Sequence, residues 1–200
     1  NTTAGPPAVI QQLRDAGVTV VILPDSDRLS SAWTKIRNVG RALGVPKRAA
    51  RVAEITRRQV AATRRMLAKA RTAPKVAFLY IRGARVQLIG GAGSRGDVMI
   101  RAAGGVDVGS TIGIQGFRPI TAEGLITAAP DYIVVPQAGL ESVGGRDGVL
   151  RLPGVAQTPA GRAGRVLAFD DQLVLGLGPR TGVALRELGV AIHPELQPRR

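Results

Sequence analysis

The 200-residue chain predicts an α/β fold built on a mainly parallel sheet with helices on both faces, and three features carry that prediction. Short, mostly apolar runs read as strands: the β-branched Val18 to Leu23 and Val76 to Ile81 as buried ones, then Tyr132 to Val135 and Arg165 to Phe169. Segments with helical spacing, closed by glycine or proline, alternate with them. One helical stretch, Pro46 to Thr72, is far longer than the others and would reach roughly 40 Å.

In chain order, Pro6 to Ala16 is a short helix with Val9, Ile10 and Leu13 on one side and Gly17 at its end, leading into the Val18 to Leu23 strand. After the polar turn Pro24 to Asp27, a helix runs from about Ser30 to Leu43 with Trp33, Ile36 and Leu43 inward, stopped by Gly44. The long helix has a narrow apolar edge, Val52, Ile55, Ala62 and Met66, opposite Arg51, Arg57, Arg58, Arg64, Arg65 and Arg71. Such a helix suits a strut lying along two lobes, and its basic face is either solvated or a contact surface for an anion. Pro74 breaks it. Beyond the Val76 strand come the glycine-rich loop Gly90 to Ser94, a helix from Arg95 to Ala103, a loop from Val106 to Pro119, and a helix from Thr121 to Ala128 with Thr121 as N-cap. The Tyr132 strand leads to a second glycine-rich loop, Gln137 to Gly148, then a helical turn at Val149 to Leu152. The last strand and a helix from Pro179 to Leu188 follow, with His193 to Arg200 as a frayed tail.

At 44% hydrophobic the chain can bury a core, and no apolar run approaches the roughly 18 residues that span a bilayer. Without cysteine there are no disulfides, thiolate metal sites or cysteine nucleophiles. A formal net charge of +14, mostly from arginine, suits nucleic acid, an anionic membrane face or an anionic ligand. Aromatics make up only 3%, too few for the stacking platforms of single-strand binders, and no recognition motif is present, which argues against nucleic acid.

Ligands of open parallel sheets bind beyond the carboxyl ends of the strands. There the sequence places Tyr80, Arg82 and Arg85; Gln137, Leu140 and Glu141; Asp170 and Asp171; and Arg180 at a helix start. Phe117 and Arg118 sit in a cleft-side loop. Gly90 to Ser94 lacks the lysine of a P-loop, so it is either a weak phosphate cradle or a tight turn bringing backbone close to a flat ligand. Asp170 and Asp171 serve a cation or, with too few oxygens for a closed site, cap a helix. Arg180 and Arg118 each meet a ligand carboxylate or an internal ion-pair partner. His193 has a packing or surface role ahead of ligation. No general acid–base pair, nucleophile triad or catalytic cofactor motif emerges, so the chain is expected to hold a ligand rather than to transform it.

The segments AGPPAVIQQLRDAGVTVV, GSRGDVMIRAAGG, FRPITAEGLITAAPDYIVV, GLESVGGRDGVLRLPGVAQTPAG and LGLGPRTGVAL resemble the haemin-binding lipoproteins of bacterial ABC importers, particularly those of actinobacteria. The wider family comprises two-lobed substrate-binding proteins for vitamin B12, siderophores and haem, joined by one long helix. The resemblance implies the end of an N-terminal lobe at 1–44, with the rest ahead of Asn1. It also implies an inter-lobe helix at 45–73, a complete C-terminal lobe at 74–192 and a tail at 193–200. It implies haem as the transported ligand, held between lobes by tyrosine or histidine on iron and basic side chains on propionates. It implies a permease docked through Glu123, whose carboxylate also suits the first turn of a helix, and an extracytoplasmic, anchored or periplasmic location. Ferric siderophore or cobalamin is the alternative cargo. Some relatives draw a histidine from the N-terminal lobe and a tyrosine from the loop matching Gly113 to Pro119. This chain has Phe117 and no tyrosine there, and no histidine near Pro24 to Leu29, which leaves Tyr80 or a residue ahead of Asn1 to ligate iron.

Overall fold

The computed structural model describes residues 6–23, 26, 28–83 and 86–197; Pro24, Asp25 and Asp27 of the expected turn, the rim candidate Arg85, and tail residues 198–200 lie outside them. Three helices come first: α1 (Pro7–Asp15), α2 (Ser31–Ala42) and α3 (Pro46–Leu67). The remainder alternates β1 (Lys75–Arg82), β2 (Val86–Gly90), α4 (Arg95–Ala102), β3 (Val106–Asp107), α5 (Val108–Thr111), β4 (Phe117–Pro119), α6 (Ala122–Ala128), β5 (Tyr132–Pro136), α7 (Gln137–Ser142), α8 (Gly145–Leu150), α9 (Pro159–Arg162), β6 (Val166–Phe169), α10 (Asp171–Leu175) and α11 (Thr181–Ile192), ending in a 3-10 turn at Pro194–Leu196.

One mixed sheet runs in the order β4-β2-β1-β5-β6, with β3 beside the start of β1. β1, β3, β5 and β6 are parallel, as expected, but β2 and β4 are antiparallel additions. The reason is the return after β1: Gly83, at φ 62°, lets the chain turn back at once, and a hairpin cannot be parallel. β1 divides one edge between two neighbours, β3 along Lys75–Val76 and β2 along Leu79–Arg82. Its side chains alternate between two cores. Val76 and Phe78 join Leu177, Leu185, Leu188 and Val60 on the face covered by α3, α4 and α11. Ala77, Leu79 and Ile81 join Leu125, Val149 and Ala160 under α6, α8 and α9.

Other expectations change too, among them Leu43, expected inward and 70% exposed here. Val18 to Leu23 forms no strand and stays largely exposed (Val21 55%, Ile22 44%), because no strand lies beside it among the described residues. α3 stops at Leu67, not Thr72: the amides of Lys69 and Ala70 bond the carbonyls of Met66 and Leu67 and the chain leaves the helix towards Pro74. Its buried edge is Ala49, Ala53, Thr56, Val60, Thr63 and Leu67, while Ile55 is 50% exposed. Small residues win because the neighbours come close: a Cβ on Gly40 would stand 2.0 Å from the Ala49 Cβ, and one on Gly189 would stand 2.3 Å from Leu67. Finally, the two expected loops contain structure, β3, α5 and β4 in the first and α7 and α8 in the second.

The tail is anchored rather than frayed as far as Gln197. His193 is fully buried, its Nε2 3.0 Å from the Ala103 carbonyl at the end of α4, which settles it in a packing role.

Candidate ligand-binding site

The carboxyl ends of β1, β5 and β6 meet at one rim, and the side chains there are linked. On a strand, positions two apart share a face, so Tyr80 and Arg82 project side by side. The Arg82 Nε–H donates to the Tyr80 phenol oxygen at 3.1 Å, and its guanidinium carbon lies 5.1 Å from the Tyr80 ring centre. The Tyr80 hydrogen bond, with Asp171 behind it, pushes Arg82 above the usual guanidinium range, so it stays a cation. The phenol oxygen thus accepts from a charged donor.

Asp171, the first residue of α10, reaches the other side of the same guanidinium, its Oδ2 3.4 Å from the terminal nitrogen of Arg82. Its Oδ1 accepts the Ala138 amide at 3.0 Å and so ties in the start of α7. Asp170 caps α10 by accepting the Leu173 amide at 2.9 Å and pairs with Arg180 at 3.5 Å. Both aspartates therefore act as caps and charge partners, and among the described residues no cluster of three or more His, Cys, Asp or Glu side chains is placed to hold a metal.

Phe117 arrives from the antiparallel extension. It packs at 5.9 Å from the rings of both Phe78 and Tyr80, making a three-ring ledge that half-covers Tyr80. The ledge depends on Gly90, where a Cβ would sit 3.3 Å from Phe117 and 2.8 Å from the Ser94 hydroxyl. Gly90 to Ser94 is therefore a packing turn: Ser94 caps α4 through the Asp97 amide at 3.1 Å, and Asp97 accepts the Gly93 amide at 3.1 Å.

Of the residues expected at the rim, the structure gathers Tyr80, Arg82 and Phe117 by direct contact. Gln137 stands next to the Ala138 amide, exposed, its amide donating to Glu141 at 2.7 Å. Arg180 joins through Asp170 and borders a hollow of about 290 Å³ with Gln172, Leu173 and Pro179. Arg118 is exposed and bonds the Phe117 carbonyl at 3.3 Å. Leu140 does not join them, because it packs against the core on the other face of the sheet. Glu123 is exposed in the first turn of α6, which Thr121 caps through the Gly124 amide at 3.0 Å. Tyr132 lies at the opposite end of the sheet under Arg165. The sequence reading missed the Arg82–Asp171 link and the Phe78–Phe117 contact. The Tyr-x-Arg spacing on a strand signals the Tyr80–Arg82 pair, whereas nothing local announces the Asp171 partnership across the sheet.

The model of the periplasmic binding protein family matches residues 2–173. Among solved structures, the periplasmic heme-binding protein RhuT from Roseiflexus sp. RS-1, in apo form, is 45% identical with a TM-score of 0.92 over 97% of this chain and 74% of its own. BhuT, solved in complex with two hemes, is 34% identical (TM-score 0.86; 97% of this chain, 73% of its own). The heme-binding protein HmuT is 35% identical (TM-score 0.89; 94% of this chain), and the present chain spans 62% of its length. HmuT has also been solved with alanine replacing a tyrosine, an arginine two positions further on, and a histidine. No curated protein sequence matches the chain. Among the described residues no helix is long and apolar enough to cross a membrane. Fold, coverage and identity together place this chain in the periplasmic binding protein family, a family that binds for transport and does not catalyse.

Proposed function

We propose that the chain belongs to the haem-binding component of an ABC importer, that Tyr80 is its ligand to haem iron, and that it hands the haem to a permease. The observation that carries this is the Tyr80 phenol oxygen held by the Arg82 Nε–H at 3.1 Å beside the Phe117 ring, at the carboxyl rim of the sheet. Ferric iron binds tyrosine through its oxygen anion, and the adjacent cation favours that anion. The Phe78–Phe117–Tyr80 ledge supplies aromatic surface for a flat macrocycle. Arg180, exposed beside Asp170, is the cation for a propionate, whereas Arg118, paired in register with Ile89 of the opposite core, faces away from Tyr80. The HmuT variants altered at a tyrosine and an arginine two positions apart support the same pair here.

In this reading haem is cargo, and residues 1–44 end an N-terminal lobe that completes the cleft, with α3 bridging to the C-terminal lobe. The exposed Glu123 carboxylate meets basic residues of the permease, and the protein works outside the cytoplasmic membrane, anchored as a lipoprotein or free in the periplasm.

The test is an absorption titration of the chain with haemin, with ferric siderophore and cobalamin in parallel. Wild type is expected to shift the Soret band at stoichiometric haemin, and Tyr80→Phe to weaken binding at least about 100-fold. No shift with wild type, a preference for either other cargo, or an unaltered Tyr80→Phe spectrum overturns the reading.

A further inference from the structure

We infer that Asp171 is a positioning residue for the iron ligand: it fixes the Arg82 guanidinium against the Tyr80 oxygen and registers that pair to the start of α7. The inference rests on the haem reading for its purpose, but the device is visible in the geometry. A guanidinium on a strand end is a long, mobile donor, and Arg82 is 44% exposed. Its Nε faces Tyr80 at 3.1 Å while the far end of the fork meets the Asp171 Oδ2 at 3.4 Å. Asp171 is itself immobilised, because its Oδ1 accepts the Ala138 amide at 3.0 Å and its backbone begins α10. One carboxylate thus joins the ends of β1, β5 and β6, and the planar fork converts that anchoring into a fixed donor direction at the phenol oxygen.

Asp171→Asn separates the two jobs of the carboxylate, since an amide oxygen still accepts from Ala138 while the charge that holds Arg82 is gone. Without haem, the Arg82 Nε–H resonance, assigned by its disappearance in Arg82→Lys, is expected to exchange with solvent roughly threefold faster in Asp171→Asn. Haemin affinity is expected to fall roughly fivefold in Asp171→Asn, an exposed pair being weak, and roughly thirtyfold in Arg82→Gln. The double variant should be no weaker than Arg82→Gln alone, because Asp171 acts through Arg82. The ferric haem spectrum of Asp171→Asn should move towards that of Arg82→Gln, a change that loosening α7 would not produce. Unchanged exchange in Asp171→Asn, or losses that multiply in the double variant, overturns the inference. A wild type that ignores haemin removes the haem reading alone, and the exchange measurement then still decides whether Asp171 holds Arg82.

Discussion

Two apolar runs of the same length meet different fates. VTVVIL at Val18 to Leu23 stays extended and exposed, with Val18 at 49% and Val21 at 55%, whereas VAFLYI at Val76 to Ile81 is a strand with five of its six residues buried. The second run has β5 in parallel register on one side and β3 and β2 sharing the other, and helices close both of its faces. Among the described residues the first has no strand beside it. A β-branched run therefore states a capacity to be buried, and only its neighbours realise it. The same holds for α1, which has an apolar side in Val9 and Leu13 but no buried residue.

The contrast is open to direct measurement. Truncation inside the second region should have the largest effect: Leu185→Ala, from a fully buried site, is expected to cost about 2–5 kcal/mol in urea unfolding, while Leu13→Ala in α1 stays within about 0.5 kcal/mol. Equal losses would mean that α1 is packed in solution. Gly40→Ala sharpens the comparison at the border between the regions. The added methyl meets the Ala49 Cβ at 2.0 Å, and the expected net loss is about 1–2 kcal/mol, overpacking partly offset by better helix propensity. A neutral result would show that α2 can slide on α3.

The smallest expected effect lies under the sheet at Asp107, which is buried with one carboxylate oxygen unbonded and whose pKa burial pushes up. The unfolded chain releases this proton near pH 3.9 and the folded chain at higher pH, so the aspartate lowers stability as pH rises above about 4. Asp107→Asn, which keeps an acceptor for the Ser110 amide, should melt like wild type near pH 4 and a few degrees higher at pH 7. A wild type that gains on the variant as pH rises would contradict this sign.

Much of the second region was legible in the sequence. β5, β6, α4, α6 and the Thr121 cap lie within two residues of where periodicity and capping chemistry put them. The antiparallel hairpin was not, because Val86 to Gly90 is short and ends in glycines that look like loop. The buried edge of α3 was misplaced because hydrophobic periodicity weighs Ile55 and Met66 above Ala49 and Thr63, while the seam chose residues by size. At the rim, Tyr80 and Arg82 could be read from strand spacing. Asp171 could not, since its partners lie 33 and 89 positions away and a carboxylate after a strand looks only like a cap.

The glycine notches along α3 have a mechanical result. Gly40 seats Ala49 near one end of the rod and Gly189 seats Leu67 at the other, two clasps about 27 Å apart. Between them Gly182 seats Gln59, and the Thr63 hydroxyl donates to the Gly182 carbonyl at 3.3 Å, so α11 holds the rod along its length and not at one end alone. At the far end α2, seated on α3 through Gly40, is tied back to the rest of the molecule where Lys35 donates to the Gly176 carbonyl at 3.3 Å.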